Sequence, residues 1–328
     1  MSTLSPVTPS LQSAAQWQQT LTDALKTPIK TRPYTALITR TTPTAFVLLI
    51  DQSESMAGEV LFNGITCSKA DAVAQVVNQI LWEMLLRCQK GDDIRHYYDV
   101  ALVGYGGQSE TDANLLMQAP TGRRFLTPDE LKAAAVRDEA IQQTKTIRGQ
   151  TITTIIKRPV WVEPVANSLT PMKSALELAE SLVQEWIVTY QGKDVYPPTV
   201  INITDGAASD AIADELLAVS NRIKALYTMD GNTLLFNVHL SDVSTEPLLF
   251  PSRAADLPAD TFAQLLYDMS SSLPTSYNPD IAQLTGKDAA GAYTGFCFNA
   301  DVNALVKFMN IGTPTNANQN FGLRQQPV

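Results

Sequence analysis

A carboxylate and two hydroxyls follow directly after an apolar run near residue 50. The run 45–50 (AFVLLI) predicts a buried strand. Asp51, Ser53 and Ser55 then stand at alternating positions, so their oxygen atoms can converge on one point. Oxygen ligands suit a hard cation such as Mg2+, Mn2+ or Ca2+ and not zinc, which prefers nitrogen and sulfur. From this segment alone, a strand-to-helix turn rich in capping residues remains an alternative.

Two further segments bring polar oxygens to a similar position. A second apolar strand is predicted over 199–203, and it ends in Thr204 and Asp205. Thr170 stands in a loop that opens a predicted helix over 172–190. In an open α/β sheet, ligands collect beyond the carboxyl ends of parallel strands, near the point where the strand order reverses. We therefore expect Thr170 and Asp205 to lie at the same edge of the sheet as Asp51.

This pattern resembles the metal-ion-dependent adhesion site of the von Willebrand factor A family. In that family an aspartate with two serines, a threonine from a second loop and an aspartate after a later strand hold one divalent ion. The resemblance covers roughly residues 41–312 and implies that the metal ligands are Asp51, Ser53, Ser55, Thr170 and Asp205. It implies Mg2+ as the ion, with Mn2+ and Ca2+ as alternatives.

Two positions next to this set differ from patterns found within the family. Many members carry glycine or another small residue where this chain has Glu54, and we expect that side chain to point to solvent. Integrin β subunits have a second metal site that needs paired acids shortly after the second serine. Gly58 and Glu59 stand there in this chain, so we expect no second site.

The resemblance implies that the site binds a protein through its metal. A Mg2+ ion ringed mostly by neutral hydroxyls and water keeps residual positive charge and an exchangeable coordination position. A carboxylate from an Asp or Glu of another protein can fill that position. We therefore expect a non-enzymatic adaptor or scaffold rather than an enzyme.

Composition and charge limit the other functions and partners. The 328 residues carry a net charge of -9 and have a pI near 4.8, which disfavours nucleic acid and anionic membranes as partners. No stretch approaches the ~20 apolar residues of a membrane span. The first residues lack the basic and apolar regions of a signal peptide, so the expected location is the cytoplasm. The three cysteines are too sparse for a disulfide framework or a zinc site.

Strand and helix patterns alternate along most of the chain and predict a doubly wound, mostly parallel open α/β sheet with helices on both faces. Residues 1–40 are interpreted as an N-terminal arm with one helix over about 10–26, and 313–328 as a flexible tail. Predicted helices cover 69–87, 172–190, 210–226, 260–269 and 301–309, and predicted strands cover 98–106, 232–240 and 295–298.

The simple alternation is interrupted by an insertion at about 107–164, between the early strands and Thr170. A helix is expected over 128–143, and the β-branched run 151–156 indicates a hairpin. Because the insertion returns the chain to the predicted metal edge, it is a candidate specificity element. The alternative is that it only covers an edge strand. Trp82, Trp161 and Trp186 are expected to be packing residues, and Trp161, in the insertion, is the alternative candidate for an interface.

The sequence lacks residues that the catalytic alternatives require. The residues 104–107 (GYGG) do not complete a G-x-G-x-x-G phosphate loop, and Ser53 stands where a dehalogenase-type phosphatase needs its second aspartate. No G-x-S-x-G elbow occurs, and His96 and His239 are expected to be satisfied structural side chains. A metal-assisted phosphohydrolase remains the alternative function, and a scaffold whose metal only stiffens the loops is a third.

The resemblance extends to bacterial intracellular members of the family. It rests on the metal loop, the long helix that follows it and the segment 200–206 (VINITDG). Such proteins occur with MoxR-type AAA+ ATPases, or with kinase and phosphatase partners, in stress-response or defence systems. The resemblance thus implies a partner of that kind.

Overall fold

A computed structural model describes residues 14–62, 64–147, 150–206, 208–241 and 247–299. The helices are α1 (Ala14–Ala24), α2 (Lys69–Cys88), α3 (Pro128–Ala133), α4 (Met172–Thr189), α5 (Ala213–Ala225), α6 (Thr261–Met269) and α7 (Asn278–Thr285). The strands are β1 (Thr44–Asp51), β2 (Glu59–Phe62), β3 (Ile65–Ser68), β4 (Gln89–Lys90), β5 (Asp93–Ile94), β6 (Tyr98–Tyr105), β7 (Ala113–Leu115), β8 (Arg137–Ile147), β9 (Gln150–Val160), β10 (Thr199–Thr204), β11 (Tyr227–Thr228), β12 (Gly231–Asn232), β13 (Leu234–His239), β14 (Leu248–Leu249) and β15 (Phe296–Phe298).

A seven-stranded sheet forms the centre of the molecule, in the order β14-β15-β13-β10-β1-β6-β7. The strands from β15 to β6 run parallel to their neighbours, and the two edge strands β14 and β7 are antiparallel. From β1 the chain moves outward to β6 and later returns to β10 on the other side of β1. The strand order therefore reverses between β1 and β10, and the predicted fold class, a doubly wound and mostly parallel α/β sheet, is confirmed.

Alternate residues of the central strands supply the cores on the two faces of this sheet. In β1, Phe46 and Leu48 belong to the core that also contains the buried face of α2. Val47 and Leu49 belong to the core formed with α4, α5 and α6. All eight residues of β1 are buried, as expected for a central parallel strand covered on both faces. Such a strand holds its carboxyl end in a fixed position.

Most of the predicted elements lie where the sequence indicated, including β1, α2, β6, α4, β10, α5, α6 and β15. The predicted strand 232–240 is present as β13, preceded by the short β11–β12 hairpin. The predicted helix 301–309 and the tail lie outside the described residues. The arm's predicted helix is α1, and the described part of the arm packs against the domain: the Tyr34 hydroxyl donates to the carbonyl of Asn232 at 3.1 Å.

The insertion was predicted wrongly in one part. The helix expected over 128–143 ends at Ala133, and residues from Arg137 onward form β8, which pairs antiparallel with β9. Residues such as Glu139 and Ala140 have an intrinsic preference for helix, but cross-strand pairing with the β-branched run of β9 overrides that preference. An ion pair between Arg158 and Glu139 links the two strands. A hairpin is present, but it pairs β8 with β9, and the run 151–156 continues through Arg158 to Val160 as the single strand β9. The first strand of the hairpin, β8, was not predicted.

The expectation that Trp161 is a packing residue is confirmed, and the alternative of an interface position is wrong. Its side chain is 3% exposed, and its indole N–H donates to the carbonyl of Leu131 at 2.6 Å. The backbone N–H groups of Trp161 and Val162 both donate to the side chain of Asn78 in α2. The base of the hairpin is therefore fixed to α2, and Trp161 is a core residue. Elsewhere in the insertion, β7 covers the edge of β6, which fits the covering role for that segment.

Candidate functional site

Asp51 is the last residue of β1 and is 1% exposed. Its Oδ1 accepts a hydrogen bond from the Ser53 N–H at 2.9 Å, and its Oδ2 accepts one from the Thr204 hydroxyl at 2.6 Å. The pKa of Asp51 is raised to about 6, mainly by burial, with a contribution from the negative charge of Asp205 and against the opposing hydrogen bonds from Ser53 and Thr204. The two aspartates of the predicted set therefore sense each other's charge at the reversal point of the sheet.

The two serines lie on the tight turn that follows. Ser53 is 1% exposed and precedes a short 3-10 turn over Glu54–Ala57. The hydroxyl oxygens of Ser53 and Ser55 lie 3.1 Å apart. Glu54 is exposed, as expected from the sequence. This turn places both hydroxyls beside Asp51 and directs the neighbouring acid to solvent.

Backbone hydrogen bonds join this first loop to the loop that carries Thr170. The Glu54 N–H donates to the carbonyl of Ser168 at 3.0 Å, and the Asn167 N–H donates to the carbonyl of Gln52 at 2.8 Å. Gly106 lies beneath both loops with a φ of +90°, and a Cβ there would lie 2.9 Å from the backbone nitrogen of Ser53. Only glycine fits such a close approach with that backbone conformation.

A third loop, after β10, is joined to both of the others. Thr204 donates to Asp51, as described, and its hydroxyl also accepts from the Gly206 N–H at 2.9 Å. The Thr170 N–H donates to the Ser209 hydroxyl at 2.9 Å, and the Ser209 N–H donates to the Thr170 carbonyl at 2.9 Å. Thr170 is 7% exposed. The three loops thus form one hydrogen-bonded unit.

Asp205 has an unusual environment for a buried carboxylate. Its side chain is 6% exposed, and its Oδ2 accepts from the ammonium of Lys69 at 3.2 Å. Its Oδ1 is buried and has no hydrogen-bond partner among the described residues. A buried oxygen of a carboxylate is costly when nothing donates to it. A cation bound at this oxygen would remove that cost.

The chemistry of these residues fits a hard divalent cation. The set offers two carboxylates and three hydroxyls, all of them oxygen ligands. It contains one unpartnered carboxylate oxygen, and it lies at the position in the sheet where ligands collect. Among the described residues, no three His, Cys, Asp or Glu side chains cluster as a metal site, so hydroxyls would have to complete any coordination here.

The structure brings all five predicted residues to one edge, by different routes. Asp51, Ser53 and Ser55 are linked by direct contacts, and Asp205 follows Thr204, which binds Asp51. Thr170 is held through its backbone. The sequence reasoning did not identify Lys69. A usable signal existed, because a lysine in the first turn of a helix opposes the helix dipole and calls for a specific reason.

The histidines have structural partners. The His96 ring lies 2.7 Å from a carboxylate oxygen of Asp99. The His239 Nε2 lies 3.1 Å from a carboxylate oxygen of Asp260, while the buried Nδ1 has no partner among the described residues. Burial lowers the pKa of His239, so the ring is neutral at pH 7. No described hydroxyl in the predicted set is hydrogen-bonded to either ring.

Comparisons with known proteins give distant structural likenesses. No family model matches the chain, and no curated protein matches it. One similar structure is a von Willebrand factor type A protein from Catenulispora acidiphila, with 11% identity and a TM-score of 0.39, covering 83% of this chain and 42% of that one. This chain therefore spans less than half the length of that protein.

Another similar structure is the vWF domain of the type V pili tip protein Mfa5 from Porphyromonas gingivalis. It is 12% identical with a TM-score of 0.39, and the match covers 89% of this chain and 99% of that one. An uncharacterized membrane spanning protein from Vibrio fischeri matches 60% of this chain and 71% of its own at 17% identity and a TM-score of 0.24. Such low identities and TM-scores do not assign the chain to a family. Among the described residues of this chain, no helix has the length and apolar character needed to cross a membrane.

Proposed function

We propose that this chain is a von Willebrand A-type module that binds another protein through a divalent metal ion and has no catalytic activity of its own. The proposal is supported by the position of Asp51, Thr170 and Asp205 on three hydrogen-bonded loops at the reversal point of the sheet. Mg2+ is the proposed ion, and Mn2+ or Ca2+ could replace it.

The observation that carries the proposal is the environment of Asp205. One buried oxygen of Asp205 has no donor among the described residues, and the charge of Asp205 contributes to the raised pKa of Asp51. Two buried carboxylates side by side are unfavourable without a cation. Asp51 and Asp205 would hold the ion with the hydroxyls of Ser53, Ser55 and Thr170.

When bound, the metal supplies an electrophilic position for a carboxylate oxygen. The protein's own residues do the rest. The hydroxyls hold the ion without neutralising it, and the loop hydrogen bonds fix their positions before a partner arrives. Leu169, directly before Thr170, and Ile212, directly before α5 at the end of the third loop, are 51% and 67% exposed and offer apolar contacts.

The proposed partner presents a single Asp or Glu within a complementary surface, because the surrounding protein is acidic and repels a strongly acidic patch. The chain would act as an adaptor or scaffold, and a MoxR-type AAA+ ATPase or a kinase and phosphatase pair in a bacterial stress-response or defence system is the proposed setting. The cytoplasm is the proposed location. The β8–β9 hairpin is proposed to add contacts at the rim of the interface.

Pull-down from the native host in Mg2+ and in EDTA tests the proposal. We expect capture of a partner in Mg2+, loss of capture in EDTA, and weaker capture by Thr170→Val. Thr199→Val is the matched control, because it makes the same change at the amino end of β10, far from the carboxyl ends of the strands where the site lies. Full capture after chelation would show that the metal is structural and that the adhesive function is wrong.

The hairpin is tested separately by shortening it. Joining Ala140 to Lys157, which are paired residues of β8 and β9, with an Asn-Gly turn removes the outer part and keeps the base on α2. We expect weaker capture of the same partner and unchanged Mg2+ affinity. Unchanged capture would show that the hairpin does not contact the partner and would favour the alternative that the insertion only covers an edge of the sheet.

Absence of catalysis is tested with generic phosphoester and nucleotide substrates in Mn2+. We expect no turnover above background, because the described partners of His96 and His239 are Asp99 and Asp260 instead of a hydroxyl of the predicted set, and the sequence contains no G-x-S-x-G elbow. Turnover that disappears in Asp205→Ala would favour the metal-assisted phosphohydrolase instead.

A further inference from the structure

Lys69 is the buried positive charge closest to the proposed metal site. It is the first residue of α2, and its side chain is 4% exposed. The Lys69 N–H donates to the carbonyl of Gly58 at 2.8 Å, which ties the start of the helix to the loop that carries Ser53 and Ser55. The backbone therefore fixes where this ammonium lies.

This position is unfavourable for a lysine unless a specific partner is present. The first turn of a helix carries a partial positive charge, which repels a cation. Burial removes the hydration of the ammonium. The Asp205 carboxylate compensates for both effects through the 3.2 Å contact with Lys69 Nζ. Because Asp205 is also a proposed metal ligand, the ammonium and a metal ion would act on the same carboxylate.

We propose that Lys69 is a built-in counter-cation that competes with the divalent ion for Asp205 and thereby sets the metal affinity of the site. The inference rests on the proposed function. Without metal, Lys69 neutralises one of the two buried carboxylates and keeps the loops in place. When a divalent ion is bound, the positive charge of Lys69 repels it and lowers the affinity of the site for the metal.

The same charge also affects the partner. A divalent ion neutralises the charges of Asp51 and Asp205, and Lys69 then leaves the filled site with one excess positive charge. A neutral residue at position 69 would leave none. Lys69 therefore lowers the affinity of the site for the metal and raises the affinity of the metal-filled site for an anionic partner. The site would bind metal and partner together more readily than the metal alone.

The test is calorimetric titration of Mg2+ into the full chain and into Lys69→Met, Lys69→Gln and Lys69→Arg. We expect the two neutral variants to bind Mg2+ about tenfold tighter or more, as when a like charge close to the ion is removed. Lys69→Arg should remain within about threefold of wild type because it keeps the charge.

Lys173→Met is the matched control. Lys173 lies in the first turn of α4, three residues after Thr170, and pairs with Glu215 at 2.8 Å instead of with a proposed ligand. Its loss removes one positive charge from the same edge of the molecule. We expect less than about a threefold change in Mg2+ affinity, because exposed charges are screened.

A second measurement is the thermal unfolding of the same variants in EDTA and in Mg2+. The neutral variants should unfold at a lower temperature than wild type in EDTA and gain more from Mg2+, because the metal then replaces the missing counter-cation. A neutral variant that folds only in Mg2+ would also support the inference.

The possible failures are distinguishable. If wild type binds Mg2+ and both neutral variants bind it equally or more weakly, competition by Lys69 is wrong and the proposed function stands. If neither wild type nor the neutral variants bind Mg2+ or Mn2+, both are wrong. If both neutral variants are unfolded in Mg2+ as well as in EDTA, Lys69 is a structural residue and the inference is overturned.

Discussion

Two buried aspartates, one at each end of the central sheet, are both paired with a lysine but differ in how they are satisfied. Asp230 is fully buried and lies at the amino end of the strands, where it holds the N-terminal arm. Its two oxygens accept from the N–H groups of Thr35 and Ala36, both at 2.9 Å, and Lys30 lies 3.3 Å away. Asp205, at the carboxyl end, has only Lys69 on one oxygen and no described donor on the other.

The comparison separates a structural carboxylate from one that is available for a ligand. The surroundings of Asp230 supply a donor for each oxygen, so its contribution to stability is complete in the protein alone. The surroundings of Asp205 leave one oxygen unsatisfied, so its stability contribution depends on something added.

Loss of the Asp230 carboxylate should be the most destabilising change. Asp230→Ala leaves the buried N–H of Ala36 and the partly buried N–H of Thr35 without acceptors, which should lower the free energy of unfolding by about 3 kcal/mol. The loss should be equal in Mg2+ and in EDTA, as measured by urea denaturation. Asp194→Ala is the control: it also removes a partner of Lys30, but at an exposed position, and should cost under about 0.5 kcal/mol.

Loss of the Asp51 charge should abolish metal binding and leave the protein folded. Asp51 is buried and accepts two hydrogen bonds, so an alanine there would also leave donors unsatisfied, and Asp51→Asn is the cleaner change. We expect Mg2+ affinity to fall by about a hundredfold or more, which corresponds to ~2.7 kcal/mol. Calorimetric titration measures it, and unchanged affinity would contradict the ligand assignment.

Removal of Mg2+ should lower the free energy of unfolding only through the site at the carboxyl ends of the strands. At a free Mg2+ concentration ten times the Kd, the metal should add about 1.4 kcal/mol to the free energy of unfolding, and EDTA should abolish this gain. Asp230→Ala should retain the gain in full, and Asp51→Asn should show none. Thermal unfolding in the two buffers distinguishes these outcomes. A gain that persists in Asp51→Asn would place the metal elsewhere.

The smallest effect is expected for the hydroxyl of Thr170. Thr170→Val keeps the shape of the side chain and the backbone hydrogen bonds to Ser209, and it removes one neutral ligand. We expect Mg2+ affinity to fall about fivefold, or ~1 kcal/mol. Thr199→Val, far from the site, should leave the affinity unchanged. Equal affinity in both variants would exclude Thr170 as a ligand.

The sequence predicted the position of the candidate site because its signals are local. Each of the two apolar runs ends in an aspartate, and parallel strands place their carboxyl ends at one edge. Contacts between distant segments were not predictable in this way. Lys69 and Asp205 are 136 positions apart, and no local pattern indicates that they meet. The same limit explains β8, whose residues favour a helix until β9 pairs with them.

The interface alternative for Trp161 was wrong for a related reason. Its sequence surroundings, Pro159 to Val162, read as an exposed return from a hairpin. Its burial depends on Asn78, which accepts two backbone hydrogen bonds from the segment, and on α3, which supplies the acceptor for the indole. Both partners are far away in the sequence. Such an environment is visible only once the elements are packed.

The close packing of Gly106 beneath the first two loops has a consequence for the order of folding. Asp51, Thr170 and Asp205 come from distant parts of the chain, and their loops meet only when β6 and β10 are already paired with β1. Segments so far apart in sequence close late, after the entropy of long loops has been lost. A metal ion bound here would then act on the finished molecule: it would slow unfolding and leave the refolding rate unchanged.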